Sequence, residues 1–117
     1  MTRSTEEVLD HHLQAFGTAN LDGILEDYGE GSIIIDADAG VLTTRDQRAK
    51  FFQGMFDEFA KPGMTFSLDK KIVEGDTAFI AWSAETADNV YNLGTDTFTV
   101  RDDKIVSQTF VANRTPK

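Results

Sequence analysis

Residues 31–41 read GSIIIDADAGV, and this stretch leads an apolar strand directly into a carboxylate. Three consecutive isoleucines are typical of a buried strand. Asp36 ends the run and Asp38 follows, and Asp and Gly are favoured where a strand turns. Because alternate residues of a strand share a face, Asp36 points to the same side as Ile34. Asp36 is therefore either a turn residue or a carboxylate at the mouth of an apolar pocket.

Two helices are predicted before this strand. Ser4 or Thr5 can cap a first helix, whose apolar residues recur at helical spacing until Gly17. A second, short helix is predicted from about Leu21 to Tyr28, with the preceding asparagine as its cap. The SIIID strand (32–36), which a loop through Gly40 is predicted to follow, therefore comes after a helical region rather than another strand.

A third helix is predicted from a cap at Thr44 to the KPG turn at residues 61–63. Its apolar stripe recurs at helical spacing and consists of Ala49, Phe52, Phe56 and Phe59. After this turn the period changes to two, with turns at EGD (74–76) and RDD (101–103), which predicts a meander of antiparallel strands. Helices followed by strands favour an α+β fold, and 117 residues suit one domain over 1–117.

Composition excludes several kinds of partner and site. With 20 acidic and 11 basic residues the net charge is −9, which disfavours nucleic acid. No apolar run approaches the roughly 20 residues of a membrane span, so we expect no membrane partner. The absence of cysteine excludes thiol chemistry and fits a cytoplasmic location. Since the chain has one inward histidine and no cysteine, we expect no metal site.

Asp96 is a second candidate carboxylate, in the strand sequence TDTFTV. It shares a face with Phe98, two residues later, and Asp is depleted in strand interiors. If this face is the inner one, the carboxylate must be neutral or paired. The alternative is an exposed face, on which Asp96 alternates with threonines.

His12 is the candidate histidine of the first helix. It lies one turn from Val8 and from Phe16, which places it on the buried stripe, whereas His11 is predicted to point into solvent. His12 is either a core histidine or a hydrogen-bond donor, acid or base near the carboxylates.

Large, mostly aromatic side chains are numerous enough to line a cavity for a flat, apolar ligand. Each is equally compatible with ordinary core packing. They are Phe16, Tyr28, Phe52, Met55, Phe56, Trp82, Phe98 and Phe110. The strand over residues 77–86 is apolar on both faces, so we expect one face to meet the helices and the other to meet either a second subunit in a homodimer or a neighbouring region of the sheet.

Two segments resemble a known superfamily. HLQAFGTANLDGILEDYGEGSIIID (12–36) resembles the opening of nuclear transport factor 2-like proteins, and TDTFTVRDDKIVSQ (95–108) resembles their final hairpin. The resemblance implies a cone-shaped fold, in which a bent sheet wraps around three helices and leaves an apolar pocket. The superfamily includes ketosteroid isomerases, polyketide cyclases of the SnoaL-like kind and members without catalytic activity.

Within this superfamily the sequence is most similar to ketosteroid isomerase. The resemblance implies that Asp36 is the general base and that Asp96, held neutral, donates a hydrogen bond to the enolate oxygen. His12 stands where that enzyme has a tyrosine, which is a departure. The implied function is proton abstraction next to a carbonyl without a cofactor. The alternatives are a non-catalytic protein that binds an apolar ligand and a dimeric interaction module.

Overall fold

The computed structural model describes residues 3–117 and packs three helices on a curved six-stranded sheet. Each helix begins after a polar cap, as predicted. Ser4 and Glu7 form a reciprocal capping box at the start of α1 (Thr5–Gly17). A second capping box, made by the residue before the helix and Gln47, starts α3 (Arg45–Phe59).

The second helix is shorter than predicted. Asn20 caps it, but α2 covers only Leu21–Leu25, and Tyr28 already belongs to a strand. The reason is a contact that is distant in sequence: the N–H of Ile105 donates to the carbonyl oxygen of Asp27 at 2.7 Å. Pairing with a strand at the other end of the chain therefore ends the helix.

Six strands form one sheet. They are β1 (Tyr28–Asp36), β2 (Gly40–Leu42), β3 (Thr65–Glu74), β4 (Thr77–Glu85), β5 (Asn89–Arg101) and β6 (Lys104–Pro116). Their order is β2-β1-β6-β5-β4-β3, with β1 and β6 parallel and every other pair antiparallel. The meander of β3 to β6 agrees with the predicted pattern, whereas the short β2, which begins where the predicted loop ends, was not predicted.

The register places both candidate carboxylates on the inner face of the sheet. Asp36 pairs with Phe110 across the parallel β1–β6 ladder, and Phe110 pairs with Asp96 across β5–β6. Asp96 in turn pairs with Ile80 on β4. These four residues form one row, in which Phe110 separates the two carboxylates by two strand spacings, about 10 Å.

The core lies between this inner face and the helices. Its fully buried apolar side chains come from α1, α2, α3 and four of the strands, and each one larger than alanine contributes roughly 1.5–3 kcal/mol through burial. They include Val8, Leu9, Ile24, Ile34, Phe52, Ala78, Phe98 and Ile105. Among residues 3–117, no helix has the length and apolar composition that a membrane span requires.

Candidate active site

A central cavity lies between α1, α3 and the inner face of β4 to β6. Its free volume is about 40 Å³, and its surface is mainly apolar. Asp96, Gln108 and His12 are the polar side chains among its lining residues. The others are Leu13, Phe16, Phe51, Phe52, Met55, Phe59, Phe66, Ile80, Trp82 and Phe110.

Asp96 is held in this cavity by two hydrogen bonds. The Trp82 Nε1–H donates to Oδ1 at 2.9 Å, and the Gln108 side-chain amide donates to Oδ2 at 2.8 Å. Burial raises the pKa of Asp96 to about 6, the two hydrogen bonds oppose this rise, and the charge of Asp36 adds to it. Asp96 is therefore mostly ionised at pH 7 and takes up a proton readily.

His12 reaches the cavity from α1 and is surrounded by aromatic rings. Its ring makes edge contacts with Phe98, Phe52 and Tyr28, with centroids 5.1, 5.9 and 6.1 Å away. Its Nδ1 is buried and finds no hydrogen-bond partner in the described part of the chain. Burial, and secondarily the neighbouring His11, lower the pKa of His12 to about 3, so the imidazole is neutral at physiological pH.

The polar contacts of Asp96 continue through Gln108, which lines the cavity, to Tyr28, which does not. The Tyr28 hydroxyl donates to Gln108 Oε1. Burial raises the pKa of Tyr28 well above its usual value, which keeps the hydroxyl protonated. The Arg48 guanidinium lies over the Tyr28 ring, 5.7 Å from its centroid, and donates to the Ser32 carbonyl at 2.8 Å.

Asp36 lies outside the central cavity, in an adjoining acidic cleft of about 230 Å³. Its Oδ1 accepts the Asp38 N–H at 3.0 Å, as the turn interpretation predicts. The cleft also contains Glu58 and Arg114. Phe110 lines both the cleft and the cavity, so its ring lies between the two carboxylates.

Aromatic rings separate the cavity from solvent on two sides. Trp82 stacks on Phe110, with centroids 6.1 Å apart and an angle of 8°, and on Phe66, at 5.7 Å and 27°. Beyond Phe66 an apolar groove of about 390 Å³ runs between the ends of α1 and α3 and the edge strand β3. The groove and the cavity share Leu13, Phe16, Phe59 and Phe66.

The amino-acid sequence matches the model of a known domain family. The model of the SnoaL-like domain matches residues 9–108, which covers most of α1, all of α3 and β1 to β5, and the first part of β6. The chain belongs to the SnoaL-like domain family. Among curated proteins, none matches the sequence of this SnoaL-like domain.

Solved structures share the fold of this SnoaL-like domain at low sequence identity. An NTF2-like protein from Anabaena variabilis has a TM-score of 0.77 at 21% identity, covering 97% of this chain and 94% of its own. A putative polyketide cyclase from Sinorhizobium meliloti has a TM-score of 0.72 at 13% identity, covering 89% and 93%. The epoxide hydrolase/cyclase-like enzyme SalBIII, described for pyran ring formation in salinomycin, has a TM-score of 0.74 at 16% identity, covering 93% and 90%. These similarities establish the nuclear transport factor 2-like fold.

The SnoaL-like domain brings most of the sequence-predicted residues to the cavity. Those that line it are His12, Phe16, Phe52, Met55, Trp82, Asp96 and Phe110. Four residues lie elsewhere. Asp36 is in the acidic cleft and Phe56 in the apolar groove, while Tyr28 and Phe98 are buried against His12, away from the cavity surface.

Sequence reasoning missed Gln108 and Arg48 and misplaced His11. Arg48 precedes Phe52 by one helical turn, and this spacing is a signal for the buried face of α3. Gln108 has no comparable signal, because a register shift between β5 and β6 interrupts the alternation just before it. His11 does not point freely into solvent: its Nδ1 lies 2.8 Å from the fully buried Asp27 carboxylate, which also binds Arg3.

Metal-binding side chains do not gather at this site. Within residues 3–117, no three or more His, Cys, Asp or Glu side chains are grouped as a metal ion requires. The chemistry that the cavity itself provides is a buried carboxylate with a raised pKa and a neutral imidazole, which line the same mainly apolar cavity.

Proposed function

We propose that this SnoaL-like domain is a small-molecule enzyme that removes a proton from a carbon next to a carbonyl, without a cofactor. The observation that carries the proposal is Asp96, a buried carboxylate with a pKa of about 6 that faces an apolar cavity. A general base is most effective when its pKa lies near the working pH. Isomerases and polyketide cyclases both use such a step.

Asp96 is the base in this proposal. In the step, the C–H bond breaks, a new O–H bond forms on Asp96, and the electron pair moves to the carbonyl oxygen. Two N–H donors stabilise Asp96 as a carboxylate before the step. The resemblance to ketosteroid isomerase instead assigns the base to Asp36 and a neutral, donating form to Asp96. The geometry supports Asp96, since Asp96 lines the apolar cavity whereas Asp36 lies in the neighbouring acidic cleft.

His12 stabilises the enolate oxygen in this proposal. A neutral imidazole can donate one N–H, and the low pKa of His12 keeps it neutral. In these mainly apolar surroundings, such a donor acts on charge that develops only in the transition state. Losing it typically costs about 3 kcal/mol of transition-state stabilisation.

The substrate in this proposal is an uncharged, flat and largely apolar carbonyl compound. Aromatic rings surround Asp96, and the acidic cleft beside it repels anions. Because 40 Å³ holds no more than a few waters, a larger substrate must displace Phe66 or Phe110 and extend into the apolar groove.

Deuterium exchange at the carbon next to the carbonyl tests the proton step directly. A panel of apolar ketones in D₂O, with a β,γ-unsaturated 3-ketosteroid among them, is followed by mass spectrometry and ultraviolet absorbance. We expect exchange by the wild type, a loss of at least about 100-fold in Asp96→Asn and a smaller loss in Asp36→Asn. A loss confined to Asp36→Asn would assign the base to Asp36.

The pH dependence separates the two assignments. If Asp96 is the base, kcat/KM falls as the pH drops below about 6, because the protonated acid cannot accept a proton. If Asp96 is a neutral donor, activity is lost as the pH rises above about 6. A profile that is flat from pH 5 to 8 contradicts both roles.

The apolar groove of about 390 Å³ beside the cavity favours a second candidate, a non-catalytic protein that binds an apolar ligand. In that case an apolar fluorescent probe binds with an affinity that Asp96→Asn and Asp36→Asn leave unchanged, and no ketone exchanges deuterium.

The proposal also includes a homodimer, formed through the outer face of the sheet, and a cytoplasmic location.

A further inference from the structure

Tyr28 lies behind the base, away from the cavity surface, and Gln108, which lines the cavity, connects the two. Gln108 is buried and donates through Nε2 to Asp96 Oδ2 at 2.8 Å. Its Oε1 accepts the Tyr28 hydroxyl. One amide therefore connects the carboxylate to a tyrosine on the first strand of the sheet.

The chemistry of the three groups determines which way the amide points. An ionised carboxylate only accepts hydrogen bonds, so the NH₂ group of Gln108 must face Asp96. Its carbonyl oxygen then faces Tyr28 and needs a donor. The raised pKa of Tyr28 keeps that donor available across the physiological range.

The Tyr28 ring is itself held in place by packing. Arg48 lies over it, and the Phe52 ring lies 5.8 Å from it between centroids. Arg48 is in turn tied to the Ser32 carbonyl. The hydroxyl therefore reaches Gln108 from a direction that β1 and α3 determine together.

We propose that Tyr28 and Gln108 are positioning residues that orient the Asp96 carboxylate and keep it a hydrogen-bond acceptor. This inference rests on the proposed function, in which Asp96 moves the proton. Gln108 on Oδ2 and Trp82 on Oδ1 each occupy one lone pair. The incoming proton must use one of the remaining lone pairs, and the substrate reaches those that face the cavity.

The direct test is the titration of Asp96 followed by NMR of protein labelled with ¹³C at aspartate carboxyls. The Asp96 signal is identified by its loss in Asp96→Asn. Removing the donor in Gln108→Leu is expected to raise the pKa of Asp96 by about one unit or more. Tyr28→Phe, which keeps the ring, is expected to raise it by about half that, since the amide is then free to rotate.

Tyr91→Phe is the matched control. It also removes a phenolic hydroxyl, but one that donates to Glu58 rather than to Gln108. We expect the Asp96 titration to be unchanged in this variant. If Tyr28→Phe and Gln108→Leu both fold and also leave the Asp96 pKa within about 0.2 units of wild type, the inference is overturned. If Gln108→Leu does not fold, Tyr28→Phe alone decides.

The titration is independent of turnover, so the inference and the proposed function can fail separately. A shifted pKa without deuterium exchange on any ketone supports the positioning pair and counts against the enzyme. Exchange by the wild type with an unshifted pKa in both variants supports the enzyme and overturns the pair. In the active enzyme, the pH at which kcat/KM is half-maximal must rise with the Asp96 pKa in Gln108→Leu.

Discussion

His12 links the stability of the fold to pH at the scale of a single residue. In the unfolded chain it takes up a proton near its ordinary pKa of 6.5, whereas burial lowers the folded value to about 3. The unfolded state therefore binds more protons between these values. Stability is lost as the pH falls from 6.5 towards 3, and the loss reaches about 2 kcal/mol at pH 5.

Replacing His12 by leucine is expected to remove this dependence. The difference in unfolding free energy between wild type and His12→Leu should shift by about 2 kcal/mol in favour of the variant from pH 7 to pH 5. Urea denaturation at both pH values measures it. Ile105→Val, a buried change without a titrating group, is the control, and its difference should stay constant. A constant difference for His12→Leu as well would mean that the folded histidine titrates normally.

Local chemistry made some site residues predictable and left others hidden. Helical spacing placed His12 on the buried face, because spacing depends only on neighbouring residues. The same reasoning placed His11 in solvent, because the residues around it in sequence do not indicate its contact with Asp27. Gln108 was missed because a polar residue next to a β-bulge has no readable orientation.

At the scale of elements, β4 and β5 depend on one glycine for their close fit. Gly94 pairs with Trp82, and a Cβ on Gly94 would overlap the indole ring. This indole stacks on Phe110 and Phe66 and donates to Asp96. The missing side chain is therefore what lets the indole lie flat over the sheet.

Gly94→Ala is expected to displace the indole and to destabilise the fold by about 2 kcal/mol. Because Trp82 is the only tryptophan, its fluorescence reports the displacement directly. Gly54→Ala on α3 is the matched control: a Cβ there meets no described atom within 4 Å, so the helix should gain about 0.8 kcal/mol. Equal stability and unchanged fluorescence in Gly94→Ala would contradict this account of the β4–β5 contact.

Helix starts were predictable because caps are local, and helix ends were less so. Ser4, Asn20 and Thr44 each accept a hydrogen bond from an N–H three residues later. Tyr28, in contrast, fits the apolar pattern of α2 but is taken into β1 by its pairing with β6. The competing partner lies at the far end of the chain, where no local pattern can reveal it.

At the scale of the whole molecule, the outer face of the sheet is the candidate dimer surface. It carries threonines on β5 together with half-exposed apolar side chains, and Val111 lies opposite Thr95 near its centre. The other exposed apolar residues of this face are Ile35, Val41, Ile72 and Leu93. Such a face can bury apolar area against a second copy of itself.

Val111→Lys is expected to convert a dimer into a monomer, because it would bury a charge at the centre of the interface. Gln14→Lys adds the same charge on an exposed position of α1 and should leave the dimer intact. Sedimentation equilibrium at tens of micromolar distinguishes the two states. A wild type that sediments at the chain mass of 13.0 kDa would contradict the dimer.

The parallel ladder of β1 and β6 has a consequence for how the chain folds. Ile33 on β1 pairs with Ser107 on β6. The first strand therefore lacks its main hydrogen-bonded neighbour until the last strand has formed. Until then β1 has only the three residues of β2 beside it. Bringing β1 and β6 together closes a loop that spans most of the chain, and contacts so distant in sequence form slowly and late in folding. During synthesis and refolding, the isoleucines of β1 therefore remain without their partner strand until β6 docks. The chain is most prone to aggregation at this stage.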